Sequence, residues 1–102
     1  MMKLRDILSG IDYELRGDID TEVSSLCYDS RKAEKNSLFF CIVGFAVDGH
    51  NYAAAAVKNG ASAIVVTRFL EDVDAAQILV KNDRQAMALI SANFYGNPAK
   101  KI

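Results

Sequence analysis

The sequence predicts an α/β layered domain: a mixed sheet of about four to five strands flanked by helices. Three observations carry this. Two apolar runs, Leu38 to Val43 and Ala61 to Thr67, do not alternate with polar residues, as expected of strands buried on both faces. Helix-periodic segments follow, at 51–59 and from Asn82 to about Tyr95. Strands interleaved with helices imply helices layered on a sheet. The 102 residues suit one domain, and a chain of that size buries roughly 65% of its unfolded surface, enough for one core.

Each element has its own signal. Leu4, Ile7, Leu8 and Ile11 are spaced i, i+3, i+4, i+7, a short amphipathic helix weakened at Ser9-Gly10. Tyr13 to Asp20 reads as an extended segment turning at Gly17-Asp18. Val23 to Asp29 reads as a strand in which Val23, Leu26 and Tyr28 compete for the buried face. Lys32 to Ser37 is polar and carries a turn. Leu38 to Val43 is closed by Gly44, and Gly44 to Val47 is a loop. Asp48 is an N-cap, and the helix it opens puts Tyr52, Ala53, Ala56 and Val57 on one face. Gly60 suits the position just past that helix. After the strand Ala61 to Thr67 comes a charged connection, Arg68 to Ala76, and a short strand, Gln77 to Val80. Asn82 or Asp83 caps the last helix, whose apolar face is Ala86, Met87, Leu89, Ile90 and Phe94. Gly96 stops it and Pro98 forbids its resumption. Ile102 reads either as the first residue of a further element or as the end of a flexible tail.

The charge balance is 12 Lys and Arg against 13 Asp and Glu, a net −1. Phosphate-backbone binding needs clustered positive charge, so nucleic acid is not an expected partner, although a single nucleotide needs only a few donors. No apolar run approaches the roughly 18 residues of a membrane span, and the N-terminus lacks a secretory pattern, so the expected location is cytoplasmic, with no membrane partner. Cys27 and Cys41 fit no zinc spacing and there is one histidine, so no metal site is expected. Both cysteines read as buried reduced thiols.

Candidate chemistry concentrates between Cys27 and His50. Asp29, Ser30 and Arg31 offer a carboxylate, a hydroxyl and a guanidinium together, suited to a phosphate or a ribose–base edge. The same residue types also build turns for their own backbone bonding. Gly44-Phe45-Ala46-Val47 is either a small apolar loop that packs on a flat ring or a hydrophobic staple into the helix. His50 is either a ligand contact or a structural residue, and no partner base or nucleophile stands beside it. There is no glycine-rich phosphate loop, dinucleotide fingerprint or catalytic triad. The residues alone describe a binding domain without visible catalytic machinery.

Taken together, Tyr28-Asp29-Ser30-Arg31, Ser37-Leu38-Phe39-Phe40, Val43-Gly44, Asp48-Gly49-His50 and Asn59-Gly60-Ala61-Ser62-Ala63 resemble the N-terminal domain of the Mur ligases. The closing Phe94-Tyr95-Gly96-Asn97-Pro98-Ala99-Lys100-Lys101 is similar to the segment that precedes the family's ATP-binding domain. The resemblance implies that residues 1–102 are one UDP-substrate-binding domain of a peptidoglycan-precursor ligase. The full enzyme would add meso-diaminopimelate or L-lysine to UDP-N-acetylmuramoyl-L-alanyl-D-glutamate. ATP, with Mg²⁺, would phosphorylate the D-glutamate carboxylate on the enzyme's central and C-terminal domains, and the incoming amine would attack the acyl phosphate. This chain alone would be inactive and bind no cofactor. By position, the family's substrate contacts fall on Tyr28, Ser30, Phe45, Ala46 and Val47, supported by Asp29, Arg31, Gly44, Asp48 and His50. The family's Pro-Gly-Asp turn is replaced by Lys35-Asn36-Ser37. Asn tolerates the left-handed conformation that Gly supplies, so the same turn is expected. The sister ligase that adds D-Ala-D-Ala shares Asp-Ser-Arg and Asp-Gly-His, but Tyr28 and Phe94-Tyr95-Gly96-Asn97-Pro98 favour the first reading. A stand-alone binding module is the remaining alternative.

Overall fold

The computed structural model describes residues 2–44 and 46–96. Its centre is a five-stranded sheet in the order β2-β7-β6-β5-β4, formed by β2 (Glu14–Arg16), β4 (Ser25–Cys27), β5 (Ser37–Phe40), β6 (Ala63–Val66) and β7 (Ala76–Leu79). β4 to β7 are parallel, and β2 closes the far edge antiparallel to β7. A separate ribbon pairs β1 (Met2–Lys3) with β3 (Glu22–Val23). The expected α/β layering and strand count are present.

Side chains alternate across a strand, so the central strands feed two cores. Leu38 and Phe40 on β5, Ala63 and Val65 on β6, and Ile78 on β7 face α1 (Leu4–Ile7) and α3 (Asp83–Tyr95). Phe39, Cys41, Ile64 and Val66 face α2 (Ala53–Lys58). Ala53 and Ala56 are fully buried there, because a methyl group lets a helix approach a sheet closely. Beside α2, the connection 68–75 covers the same face with Phe69, Leu70 and Val73. The buried amide of Gln77 ties it down, accepting from Leu70 N at 2.7 Å and donating to Leu70 O at 2.8 Å.

Two turns depend on glycine or its substitute. Asn36 has φ +64°, the left-handed turn expected of Lys35-Asn36-Ser37. Its N–H donates to Gly60 O at 2.8 Å. Gly60 itself has φ +120°, and a Cβ there would stand 2.8 Å from the Lys35 backbone.

Several elements end elsewhere than the sequence pattern predicts. The first helix spans only Leu4–Ile7, and Ile11 packs on the core from outside it. The strand expected over 23–29 is two strands. Ser24 interrupts it, its N–H bonded to Asn36 O at 2.8 Å, so Val23 joins the ribbon and Ser25–Cys27 the main sheet. Tyr28 lies past the strand end and is exposed instead of competing for the core. β5 stops at Phe40, after which the chain leaves the sheet and Val43 is exposed. The segment expected as helix from Asn51 opens as a 3-10 turn, Gly49–Tyr52, which rotates Tyr52 out to solvent. Leu89, placed on the buried face by its spacing, is also exposed. α3 is capped by Asn82, whose side chain accepts from Gln85 N at 2.9 Å.

Candidate ligand-binding site

In open α/β sheets ligands bind beyond the carboxyl ends of the parallel strands. At that edge β4 and β5 run side by side, Cys27 opposite Phe39. The chain turns sharply after each. After β4, Asp29 caps a 3-10 turn, Ser30–Lys32, its side chain accepting from Arg31 N at 2.9 Å. After β5, Val43 bridges Asp48 antiparallel and Gly44 N donates to Val47 O at 2.7 Å, the paired ends of a hairpin. Gly49 then lies against the end of β5, its N–H on Ile42 O at 2.8 Å. A Cβ at Gly49 would stand 2.6 Å from Ile42 N, so only glycine allows this approach.

Between the two turns opens a cleft of about 490 Å³. It is lined by Tyr28, Asp29, Ser30 and Arg31 from the first turn, Phe39, Phe40 and Ile42 from β5 and beyond, and Val47, Gly49 and Tyr52 from the second. The Tyr28 ring is 54% exposed and stacks on Phe40, centroids 5.2 Å apart and planes 10° from parallel. Its hydroxyl lies 3.3 Å from Ser91 Oγ on α3. An exposed ring backed by a second ring is a platform for a planar group. Ser30 is buried and held through its backbone carbonyl, which accepts from Asn59 Nδ2 at 3.0 Å.

The charged residues of the first turn pair with each other. Arg31 reaches both oxygens of Asp29, Nε to Oδ1 at 3.1 Å and Nη2 to Oδ2 at 2.9 Å. That guanidinium, with the Arg31 N–H, holds the Asp29 carboxyl down at about 2.

Asp48 and His50 sit behind the hairpin, not in the cleft. Asp48 Oδ1 accepts from His50 N at 2.9 Å and lies 2.6 Å from His50 Nδ1, while Arg68 Nη1 donates to Oδ2 at 3.0 Å. His50 Nε2 accepts from Thr67 N. The imidazole therefore bridges the second turn to the end of β6.

Of the residues singled out by sequence, the fold brings Tyr28, Asp29, Ser30, Arg31 and Val47 to one cleft. Gly44 and Ala46 shape the hairpin without lining the cleft, and Phe45 lies outside the described residues. Five cleft residues are not singled out by the sequence: Phe39, Phe40 and Ile42, which belong to the apolar run, Tyr52, whose helical spacing points to the core, and Gly49. Among the described residues, grooves of about 560 and 640 Å³ lie by the ends of β2 and β7 around Asp12, Val80 and Lys81, and another of about 500 Å³ lies between Val43 and the start of α3. None of these is lined by Tyr28, Asp29, Ser30 or Arg31. Among the described residues no group of three or more His, Cys, Asp or Glu could hold a metal ion, and no helix is long and apolar enough to cross a membrane.

Residues 22–95 match the model of the Mur ligase family, catalytic domain. The chain belongs to the Mur ligase family. Its curated relatives include UDP-N-acetylmuramoyl-L-alanyl-D-glutamate–2,6-diaminopimelate ligases. That of Caldanaerobacter subterraneus subsp. tengcongensis is 43% identical over 102 residues, covering 99% of this chain and 21% of the relative. The Clostridioides difficile protein is 41% identical with the same coverage. Among solved structures, MurF from Acinetobacter baumannii superposes with a TM-score of 0.78 at 26% identity, covering 89% of this chain and 20% of that one. The chain thus spans about a fifth of the length of these Mur ligases, and what it matches is their N-terminal domain.

Proposed function

We propose that this chain is the part of a Mur ligase that anchors the uridine diphosphate end of UDP-N-acetylmuramoyl-L-alanyl-D-glutamate. The rest of the enzyme adds the third amino acid. The observation that supports this best is the convergence of Tyr28, Ser30 and Val47 on one cleft at the carboxyl edge of β4 and β5. In this reading the uracil packs between the Tyr28 ring and the hairpin, using aromatic and apolar contact. The Ser30 hydroxyl hydrogen-bonds the nucleotide. Arg31 lies at the mouth, able to give a guanidinium hydrogen to a phosphate oxygen while Asp29 holds it in place.

The added amino acid is 2,6-diaminopimelate by the names of the sequence relatives, which reach 43% identity over nearly the whole chain. The D-Ala-D-Ala-adding alternative has structural likeness at 26% identity and is the weaker reading. ATP and Mg²⁺ belong to the remaining four-fifths of such an enzyme, and the setting is the cytoplasm. By itself the chain turns over no ATP, and turnover by purified domain above a blank preparation contradicts this.

The direct test is titration of UDP into the domain, followed by backbone amide shifts. Shifts are expected at 28–31 and 43–49. Shifts confined to the grooves around Val80 and Lys81, or none at millimolar UDP, sink the reading.

A further inference from the structure

Val43 opens the hairpin that forms one wall of the cleft, and the first turn of α3 takes both of its backbone groups. Its N–H donates to Asp83 Oδ2 at 2.9 Å. Its carbonyl accepts from Arg84 Nη1 at 3.3 Å. Asp83 is buried, and it does not cap its own helix, because Asn82 does so. A buried carboxylate directed at one backbone amide 40 residues away is a strut between two elements. The same helix holds the opposite wall, through Ser91 on the Tyr28 hydroxyl. Asp83 and Ser91 are eight residues apart, about 12 Å along a helix. One rigid element therefore spaces the hairpin from the aromatic platform.

We propose that Asp83 is a positioning residue for the cleft. By fixing Val43 it sets the separation between Val47 and the Tyr28 ring, and so the width offered to a planar base. The inference rests on the reading that this cleft takes the uridine diphosphate end of the substrate. Asp83 touches no ligand in this scheme and acts only through Val43.

The test titrates UDP into the wild type, Asp83→Ala, Asp83→Asn and Asp83→Ser, with thermal unfolding measured alongside. Asn keeps an oxygen that the Val43 N–H can use, and Ala does not. Loss of that hydrogen bond is expected to raise the UDP dissociation constant of Asp83→Ala about three- to thirtyfold, with Asp83→Asn within about threefold of wild type. The Val43 amide should lose hydrogen-exchange protection in the first variant and keep it in the second. A purely structural role lowers the melting temperature and leaves the affinity of the folded protein alone. Folded Asp83→Ala that binds as wild type does overturns the proposal. If Asp83→Ala does not fold, Asp83→Ser decides: its hydroxyl is one bond shorter and falls short of the Val43 N–H, and unchanged affinity in that folded variant overturns the proposal equally. UDP that fails to bind the wild type brings down the functional reading and this one with it. Binding by the wild type that is indifferent to Asp83→Ala brings down this one alone.

Discussion

Thr67 donates its backbone N–H to His50 Nε2 at 3.0 Å, across 17 residues of sequence. A ring nitrogen that accepts carries no proton, so the imidazole proton sits on Nδ1 and points at Asp48 Oδ1, 2.6 Å away. The ring is fully enclosed. His50 therefore joins the turn after β5 to the end of β6.

Removing this ring affects stability before binding. His50→Ala leaves the Thr67 N–H without its partner, a cost of about 1–3 kcal/mol. Asp48 keeps its bonds to His50 N and Arg68, so the hairpin stays in place. Thermal unfolding should show a clear drop in melting temperature with nearly unchanged UDP affinity. A folded His50→Ala that no longer binds UDP would move the site to the other side of the hairpin.

Ser30→Ala should do the reverse. The backbone of Ser30 is held through its carbonyl, which the substitution keeps. The lost hydroxyl costs roughly 0.5–1.5 kcal/mol against a neutral partner and roughly 1.5–3 against a charged one. The dissociation constant for UDP should rise by about twofold to a hundredfold, with the upper part reached only if the partner is a phosphate oxygen. Calorimetric titration at unchanged melting temperature checks this. An affinity equal to wild type rejects Ser30 as a contact.

Acid should loosen the second turn. The His50 N–H, the His50 ring and Arg68 hold the Asp48 carboxyl at about 2, below the ordinary 3.8. A carboxylate whose folded pKa is depressed contributes stability above its unfolded pKa and loses it as pH falls toward the folded one. Stability should therefore decline between about pH 4 and pH 2. Asp48→Asn removes this titration, so its denaturant midpoint should be lower at neutral pH and flatter across that window. An acid limb as steep as wild type counts against Asp48 as a source.

The two thiols should be slow to react. Burial pushes Cys41 up to about 12, and burial also raises Cys27, whose Sγ donates to Asp29 O at 2.8 Å. The thiolate is the reactive form, so native protein should modify slowly with thiol reagents and quickly once denatured. Two fast thiols in native protein contradict the burial.

Sequence pattern by itself determined the layers. Runs such as Leu38 to Phe40 and Ala63 to Val66 carry no polar residue on either face, and at so short a length beside turn residues that pattern points to a strand covered on both faces. The left-handed turn at Asn36 was legible through the family resemblance, since asparagine tolerates the conformation of the glycine it replaces, and a cap at Asn82 or Asp83 was legible from local chemistry. Tertiary structure alone decided which polar groups meet. Asp83 reads from sequence as the alternative cap to Asn82, and nothing local says that it reaches Val43. Tyr28 read as a core contender, and only the end of β4 beside Phe40 turned it into an exposed platform. Tyr52 and Leu89 follow helical spacing and still come out exposed: a 3-10 start turns Tyr52 outward, and Leu89 lines the groove beside Val80 and Lys81. Periodicity reports on a residue's own backbone. A cleft is made where separate backbones end, and their relative placement follows from the packing of the whole sheet.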